Sequence, residues 1–390
     1  MNSVLSIVAV AATLPAEWAG TLLVFCVLAV GFIALLLFWL FETRRPLALT
    51  RTAENPVLGP NPEHWWESEA VFNPAAVVHD GRVHLFYRAL GQDGVSRIGH
   101  ASSPDGTNFD ERSPNPVYDL GRMFDTTQQK GGCGLRYRPL SYNTDLYASG
   151  GGWGGCEDPR AVTIDENLYM TFGIFSGWQS MRLAVTTLAL GNFSKRAWAW
   201  ARHITISPQN ETHKNWVLFP EKIGGRFAIL HALTPQVLVD YVDSLENLAD
   251  NPIQSNNNRA GFSDGWDSFV RGAGAPPIKT PYGWLLFYHG MDPKHEPNIG
   301  YKVGALLLDL NNPTKILYRS QEPVLTPAQW YEHDWKPNVV YASGAVVWGD
   351  DVVVYYGGGD KYIASARTNL RDFVRKLIQH EHAVLTPLKK

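Results

Sequence analysis

Two series of polar side chains recur at matching points of a repeated segment, and their types suit a pocket in which a proton is moved. The first series opens each repeat: Asn73, Asp158, Glu221 with Lys222, the segment holding Arg271, and Ser343. The second stands where the following strand ends: Arg88, His231, Tyr288, His289 and Asp360. Amides and carboxylates bond neighbouring hydroxyls, a guanidinium offers a planar fork of donors, and a carboxyl group can carry a proton. Polar groups at equivalent points of a pseudo-symmetric array place a binding pocket on the axis they share. Each residue also has a plain structural reading. Asp158 before Pro159 could cap a turn, Arg88 could pair with Asp93 or Asp158, and Asp360 after three glycines could shape a bend. No His, Cys and carboxylate cluster has metal-ligand spacing, and Cys133 and Cys156 are too isolated for a zinc site. No glycine-rich loop opens a helix, so nucleotide binding has no signal.

The elements that must position these residues are strands. Five copies of one hairpin run along the chain: Phe72 to Ala89, Cys156 to Gly173, Leu218 to Ala232, Gly274 to Gly290 and Tyr341 to Gly359. Alternation with β-branched and aromatic enrichment favours strand over helix in each. Gly81, Gly225 and Gly283 fall where a tight hairpin needs positive φ. Further strand-like stretches follow at Ser96 to Phe109, Arg182 to Phe193, Gly300 to Leu310 and Tyr362 to Phe373. About four strands in each of five units predict an all-β fold, a five-bladed β-propeller over 55–378, rather than a sandwich.

Charge is near balance, 34 Lys and Arg against 37 Asp and Glu, which argues against a nucleic-acid partner. Fourteen Trp and 16 Tyr fit aromatic binding surfaces and an ordinary β core alike. Three cysteines make no disulfide framework, and a reducing compartment is the simpler reading. An uncharged apolar run predicts a transmembrane helix over 20–41, after a short segment 1–19 and before a linker 42–54. Arg44, Arg45 and Arg51 follow it, which predicts a single-pass membrane protein with its main domain on the cytoplasmic side. A tail, 379–390, ends the chain.

Six segments in order carry a resemblance: NPAAVV with FYRALGQDGVSRIGHASSPDG, GGCEDPR, LFPEKIGGRFAILH, GAGAPPIKTPYGWLLFYHG, YKVGALLLDLNNPTKILYRS and SGAVVWGDDVVVYYGGGD. Together they span nearly everything from Asn55 to Phe373, and the chain resembles glycoside hydrolase family 130, the mannoside phosphorylases and related β-1,2-mannosidases. The resemblance implies inverting attack at a β-mannosyl carbon, with Asp158 of the EDPR motif as proton donor acting through the sugar's 3-hydroxyl. Crowding by Glu157 and burial predict a raised Asp158 pKa. Matching positions imply that Asn73, Arg88, Arg97 and Asp360 hold the donor sugar, with Tyr288 as a further hydroxyl donor. It implies no metal or organic cofactor, a mannoside glycan as partner, and compatibility with a homo-oligomer.

The nucleophile is phosphate or water. Lys222, Arg271, His231 and His289, with Arg182 behind them, favour phosphate as co-substrate. A hydrolase needs a second carboxylate ~6.5–9.5 Å from the acid, and Glu221 is the candidate. Ala232 stands where similar phosphorylases carry arginine, which weakens one fork of a phosphate clamp. Transfer from a sugar nucleotide or mannose 1-phosphate, and a non-catalytic glycan-binding domain, are the remaining readings. The insertion between Asp119 and Gly155 could form a lid, Trp153 and Trp178 could stack on an acceptor sugar, and Asp240 to Arg259 reads as a polar loop.

Overall fold

The computed structural model describes residues 24–36, 47–120, 152, 154–175, 181–209, 211–255, 260–293 and 300–380. The chain divides into two units, Met1–Pro46 and Leu47–Lys390. The first is helical over 24–36. Among the described residues no helix is long and apolar enough to cross a membrane, a task that takes about 20 apolar helical residues. That finding corrects the expected transmembrane helix over 20–41, and with it the membrane as partner and the single-pass, cytoplasm-facing localisation. The segment 1–19, the 121–150 insertion, Trp153, Trp178, Cys133 and most of the 379–390 tail lie outside the described residues.

The second unit is mostly β. In chain order its strands are β1 (Thr50–Arg51), β2 (Ala70–His79), β3 (Arg82–Leu90), β4 (Val95–Ser103), β5 (Glu111–Arg112), β6 (Gly154–Ile164), β7 (Asn167–Phe175), β8 (Met181–Ala189), β9 (Ile204–Thr205) and β10 (Val217–Leu218). They continue with β11 (Phe227–Ala232), β12 (Leu238–Val242), β13 (Phe269–Ala273), β14 (Ile278–Thr280), β15 (Gly283–Met291), β16 (Lys302–Leu308), β17 (Ile316–Arg319), β18 (Val340–Trp348), β19 (Asp351–Gly358) and β20 (Tyr362–Asn369). Antiparallel pairing sorts them into five groups in sequence order: β2–β5, β6–β9, β10–β12, β13–β17, and β18–β20 completed by β1. The first two share a sheet through one short parallel contact between β4 and β6.

The hairpins follow from local chemistry. His79 pairs with Arg82, which leaves Asp80 and Gly81 as a two-residue turn with φ of 47° and 70°. That is the left-handed pair whose twist matches the flanking strands.

Each group packs on the next in chain order, and β18 of the fifth packs on β2 of the first. The buried apolar side chains gather accordingly, one cluster at each junction. Phe86, Ile98, Met170 and Phe172 join groups one and two, and Val162, Val185, Leu218 and Ile229 join two and three. Phe219, Leu230, Trp284 and Leu286 join three and four, while Phe287, Val303, Val352 and Tyr356 join four and five. Val71, Leu85, Val353 and Ile363 close five onto one. The alternation of central strands such as β3, β11, β15 and β19 therefore feeds two cores, one from each face.

A second repeat was not visible as a motif. In three groups a buried tyrosine donates to a buried carboxylate that also takes an arginine. Tyr87 donates to Glu67 at 2.8 Å, with Arg112 at 2.8 Å. Tyr288 donates to Asp267 at 2.8 Å, with Arg319 at 2.8 Å. Tyr356 donates to Glu332 at 2.8 Å, with Arg51 at 2.8 Å. Each bracket fastens the loop ahead of a group to that group's own strands.

Candidate active site

Four of the five groups carry a β-bulge at a polar residue of their first strand, and in the third the slip falls instead at His231 of β11. The register slips between Phe72 and Ala75, Glu157 and Arg160, Val270 and Gly272, and Ala342 and Gly344. A bulge re-aims a side chain out of the ladder, and the residues released are Asn73, Asp158, Arg271 and Ser343. Asn73 and Asp158 take φ of 49° and 47°, and Asn215, just before β10, takes 65°. Such conformations are costly for residues other than glycine and persist where surrounding bonds hold them.

Those bonds converge on Asp158. Asn73 Nδ2 donates to its Oδ1 at 2.8 Å, and Arg88 Nη1 lies 3.5 Å from the same oxygen. The Arg88 guanidinium also meets Glu157 at 2.9 Å, donates through Nε to Ser96 at 3.0 Å, and lies 4.7 Å over the Phe72 ring. Lys214 Nζ stands 3.7 Å from the other Glu157 oxygen. Arg160 donates to the Asp158 carbonyl at 2.6 Å, to Asn215 Oδ1 at 3.0 Å and to the Gly274 carbonyl at 3.1 Å. Asn215 also accepts from the Tyr341 hydroxyl and donates to the Arg271 carbonyl at 3.0 Å. One amide thus ties the third group to the second, fourth and fifth. Tyr341 stacks on His289 with centroids 3.9 Å apart, and Tyr301 meets Tyr341 edge-on at 5.6 Å.

The electrostatics run opposite to the sequence-based expectation for Asp158. Burial alone would raise its pKa, but Arg88, Lys214 and Arg160, with the Asn73 hydrogen bond, outweigh it and bring the value down to about 2. Burial lowers the Lys214 pKa against the pull of Glu157 and Asp158. The Tyr301 hydroxyl raises that of Arg271 against its burial, with Tyr341 and Asp158 assisting. Burial, reinforced by Arg160, pushes His289 down to about 3, so its imidazole is neutral. Arg88, Arg160, Lys214 and Arg271 against Glu157 and Asp158 leave an excess of two positive charges in this cluster.

The remaining sequence-selected residues are placed as follows. Asp360, with φ of 53°, lies 3.3 Å from Lys336, whose ammonium sits 5.3 Å from the Tyr301 ring. Arg97 neighbours Ala89 across the β3–β4 pair, so it points to the face opposite Arg88. There it pairs with Asp93 at 2.6 Å. Tyr288 belongs to the bracket with Asp267 and Arg319. His231 packs 5.4 Å from Trp216 and 3.5 Å from Asp240. Lys222 pairs with Asp165 at 2.9 Å at the tip of the β6–β7 hairpin, roughly 20 Å along the strand from Asp158. Glu221 is half-buried and pairs with Lys279 at 2.6 Å. Arg182 donates to the Ser207 carbonyl at 2.8 Å. Lys222, Glu221 and His231 are not brought into the Asp158 cluster.

Lys214, Asn215, Arg160, Tyr341 and Tyr301 were missed. Arg160 and Tyr341 flank residues that were chosen, Asp158 and Ser343. Lys214 and Asn215 precede the two-residue strand β10 and carry no alternation that could flag them.

The site is thus a largely buried acid ringed by cations and amides, drawn from all five antiparallel groups. The family profile described as beta-1,4-mannooligosaccharide phosphorylase matches residues 145–378. The chain belongs to glycoside hydrolase family 130. A 1,2-beta-oligomannan phosphorylase from Thermoanaerobacter sp. (strain X514) is 36% identical over 337 residues, covering 84% of this chain and 99% of the relative. A beta-1,2-mannobiose phosphorylase from the same strain is 34% identical, covering 82% and 96%. A solved family 130 structure, from work on hydrolases that target beta-1,2 mannosidic linkages in Candida mannan, superposes with a TM-score of 0.63. It is 25% identical and is matched over 83% of this chain and 94% of its own.

Proposed function

We propose that the second unit is a five-bladed β-propeller that cleaves β-1,2-linked mannosides by inverting phosphorolysis, releasing mannose 1-phosphate. The five groups and their junction cores, closed from fifth to first, support the propeller. The cation excess around Asp158 carries the choice of phosphate. Lys214 and Arg271 supply charge for a dianion, whereas Glu157, held by Arg88 and Lys214, is a poor base for water. The names of the two Thermoanaerobacter relatives support the same linkage and reaction.

In the reaction a phosphate oxygen attacks the anomeric carbon as the bond to the leaving oxygen breaks. Asp158 gives a proton toward the leaving oxygen through the sugar's 3-hydroxyl, and the proton carried by hydrogen phosphate restores it. The resting carboxylate is ionised because cations surround it. A phosphate dianion beside Lys214 and Arg271 offsets that field and lifts the Asp158 pKa, making an acid when the co-substrate arrives. Asn73 and Arg88 hold the Asp158 carboxylate from two sides, and the same amide and guanidinium groups are suited to orienting the donor sugar beside it.

The test incubates the protein with β-1,2-mannobiose, with and without phosphate, and separates mannose from mannose 1-phosphate. Phosphate-dependent mannose 1-phosphate is expected. Free mannose at equal rates in both buffers would make the protein a hydrolase and sink this reading.

A further inference from the structure

A single exposed apolar side chain is ordinary, but two tryptophans at equivalent points of a repeat invite a reason. Among the described residues of the second unit the exposed ones are Trp65, Val78, Tyr282, Trp330 and Val347, and both tryptophans are 61% exposed. The two occupy the same place in the bracket repeat. Trp65-Trp66-Glu67 and Trp330-Tyr331-Glu332 each end in the carboxylate that holds a buried tyrosine, Tyr87 or Tyr356. Tyr87 pairs with Gly99, and Tyr356 with Ala364. Two residues before those partners stand Arg97 and Tyr362, each packed on its tryptophan. The Arg97 guanidinium lies 4.6 Å from the Trp65 ring, and the Tyr362 ring 5.3 Å from Trp330 at 72°. The third bracket reads Gly265-Trp266-Asp267. The fold therefore accepts glycine at this point, and structure alone does not call for tryptophan.

Both sites lie beside strand ends that lead to the catalytic cluster. Tyr362 follows Lys361 and Asp360, and Asp360 meets Lys336 at 3.3 Å. Trp65 and Arg97 border the β3–β4 turn, next to Val95 and Ser96, which pair with Gly154 and Gly155 just ahead of Asp158. Hydroxyl-bonding groups flank each ring. Asp334 accepts from Lys361 at 2.8 Å and from the Tyr362 hydroxyl at 2.9 Å, and Asp93 accepts from Arg97 at 2.6 Å. An aromatic face with carboxylate, ammonium and phenol groups at its edge matches a pyranose, whose C–H face is apolar and whose rim is hydroxylated.

We propose that Trp65 and Trp330 are outer platforms that bind sugar units of a longer mannoside beyond the bond being cleaved. This rests on the mannoside reading above. The platforms add affinity for long chains and leave the disaccharide untouched.

The experiment compares β-1,2-mannobiose with the pentaose as substrates of the full chain, under saturating phosphate. For Trp330→Ala and Trp65→Ala, kcat/KM on the pentaose should fall about tenfold through KM, while the mannobiose value stays within about twofold. Trp330→Phe should recover part of the loss, because stacking survives. Equal losses on both substrates, or no loss on the pentaose, would overturn the platforms. If the wild type releases no mannose 1-phosphate from either sugar, the phosphorolysis reading fails by itself. Pentaose binding by calorimetry, wild type against Trp330→Ala, then decides the platforms separately.

Discussion

Asp158 is an anion whose neighbours are arranged to keep it one. Replacing it with asparagine should cut turnover by about 10²–10⁴, measured as mannose 1-phosphate release, without unfolding the protein. The same substitution has a pH signature. A depressed pKa adds stability above the unfolded carboxyl value near 4 and loses it as pH falls toward about 2. Wild type should therefore exceed Asp158→Asn by ~2 kcal/mol at neutral pH, with the gap closing below pH 4 in denaturant titrations. If phosphate lifts the Asp158 pKa, the basic limb of the rate profile should move to higher pH as phosphate approaches saturation. A limb that does not respond to phosphate would detach the acid from the cation cluster. Asp158 and Asn73 were legible because a residue before proline at a repeated strand corner marks a bulge. The direction of the pKa shift was not. It depends on Arg88 first and then on Lys214 and Arg160, and Lys214 lies 56 positions further along the chain.

At the scale of elements, the bracket repeat explains why Tyr288 read as a site residue. It ends the same aromatic run as His289, and alternation sends the two to opposite faces. His289 goes to the Tyr341 stack and Tyr288 to Asp267. Tyr288→Phe should lower stability by about 1–2 kcal/mol while leaving KM for sugar and phosphate unchanged; a raised sugar KM would return Tyr288 to the site. Gly304 faces the same ring, and a Cβ there would lie 2.4 Å from it, so Gly304→Ala should destabilise by roughly 1–3 kcal/mol through overpacking. Hairpins and their order were readable from alternation and turn residues. The brackets were not, because their three members come from separate loops and strands. Lys222 misled for a related reason: its PEK corner resembles the others, but it stands at a hairpin tip, where Asp165 takes its charge.

For the whole molecule, closure depends on the strand that comes first. β1 pairs with β20, Thr50 opposite Arg367 and Arg51 opposite Ala366, and Arg51 supplies the cation to buried Glu332. Arg51→Ala should cost ~3 kcal/mol, because it leaves that buried carboxylate without its counter-charge, and the loss should appear as a lower thermal midpoint. Activity retained below that midpoint would confine the effect to stability. The closure also imposes a timetable on synthesis. Arg51 and Glu332 are 281 residues apart, so at about 5–20 residues per second a ribosome releases the arginine roughly a quarter of a minute to a minute before its carboxylate exists. Through that interval the fifth group is unmade and the first group's Val71 and Leu85 lack their partners. The nascent chain is most exposed to aggregation then, and a chaperone that holds it would matter most over the last stretch of translation.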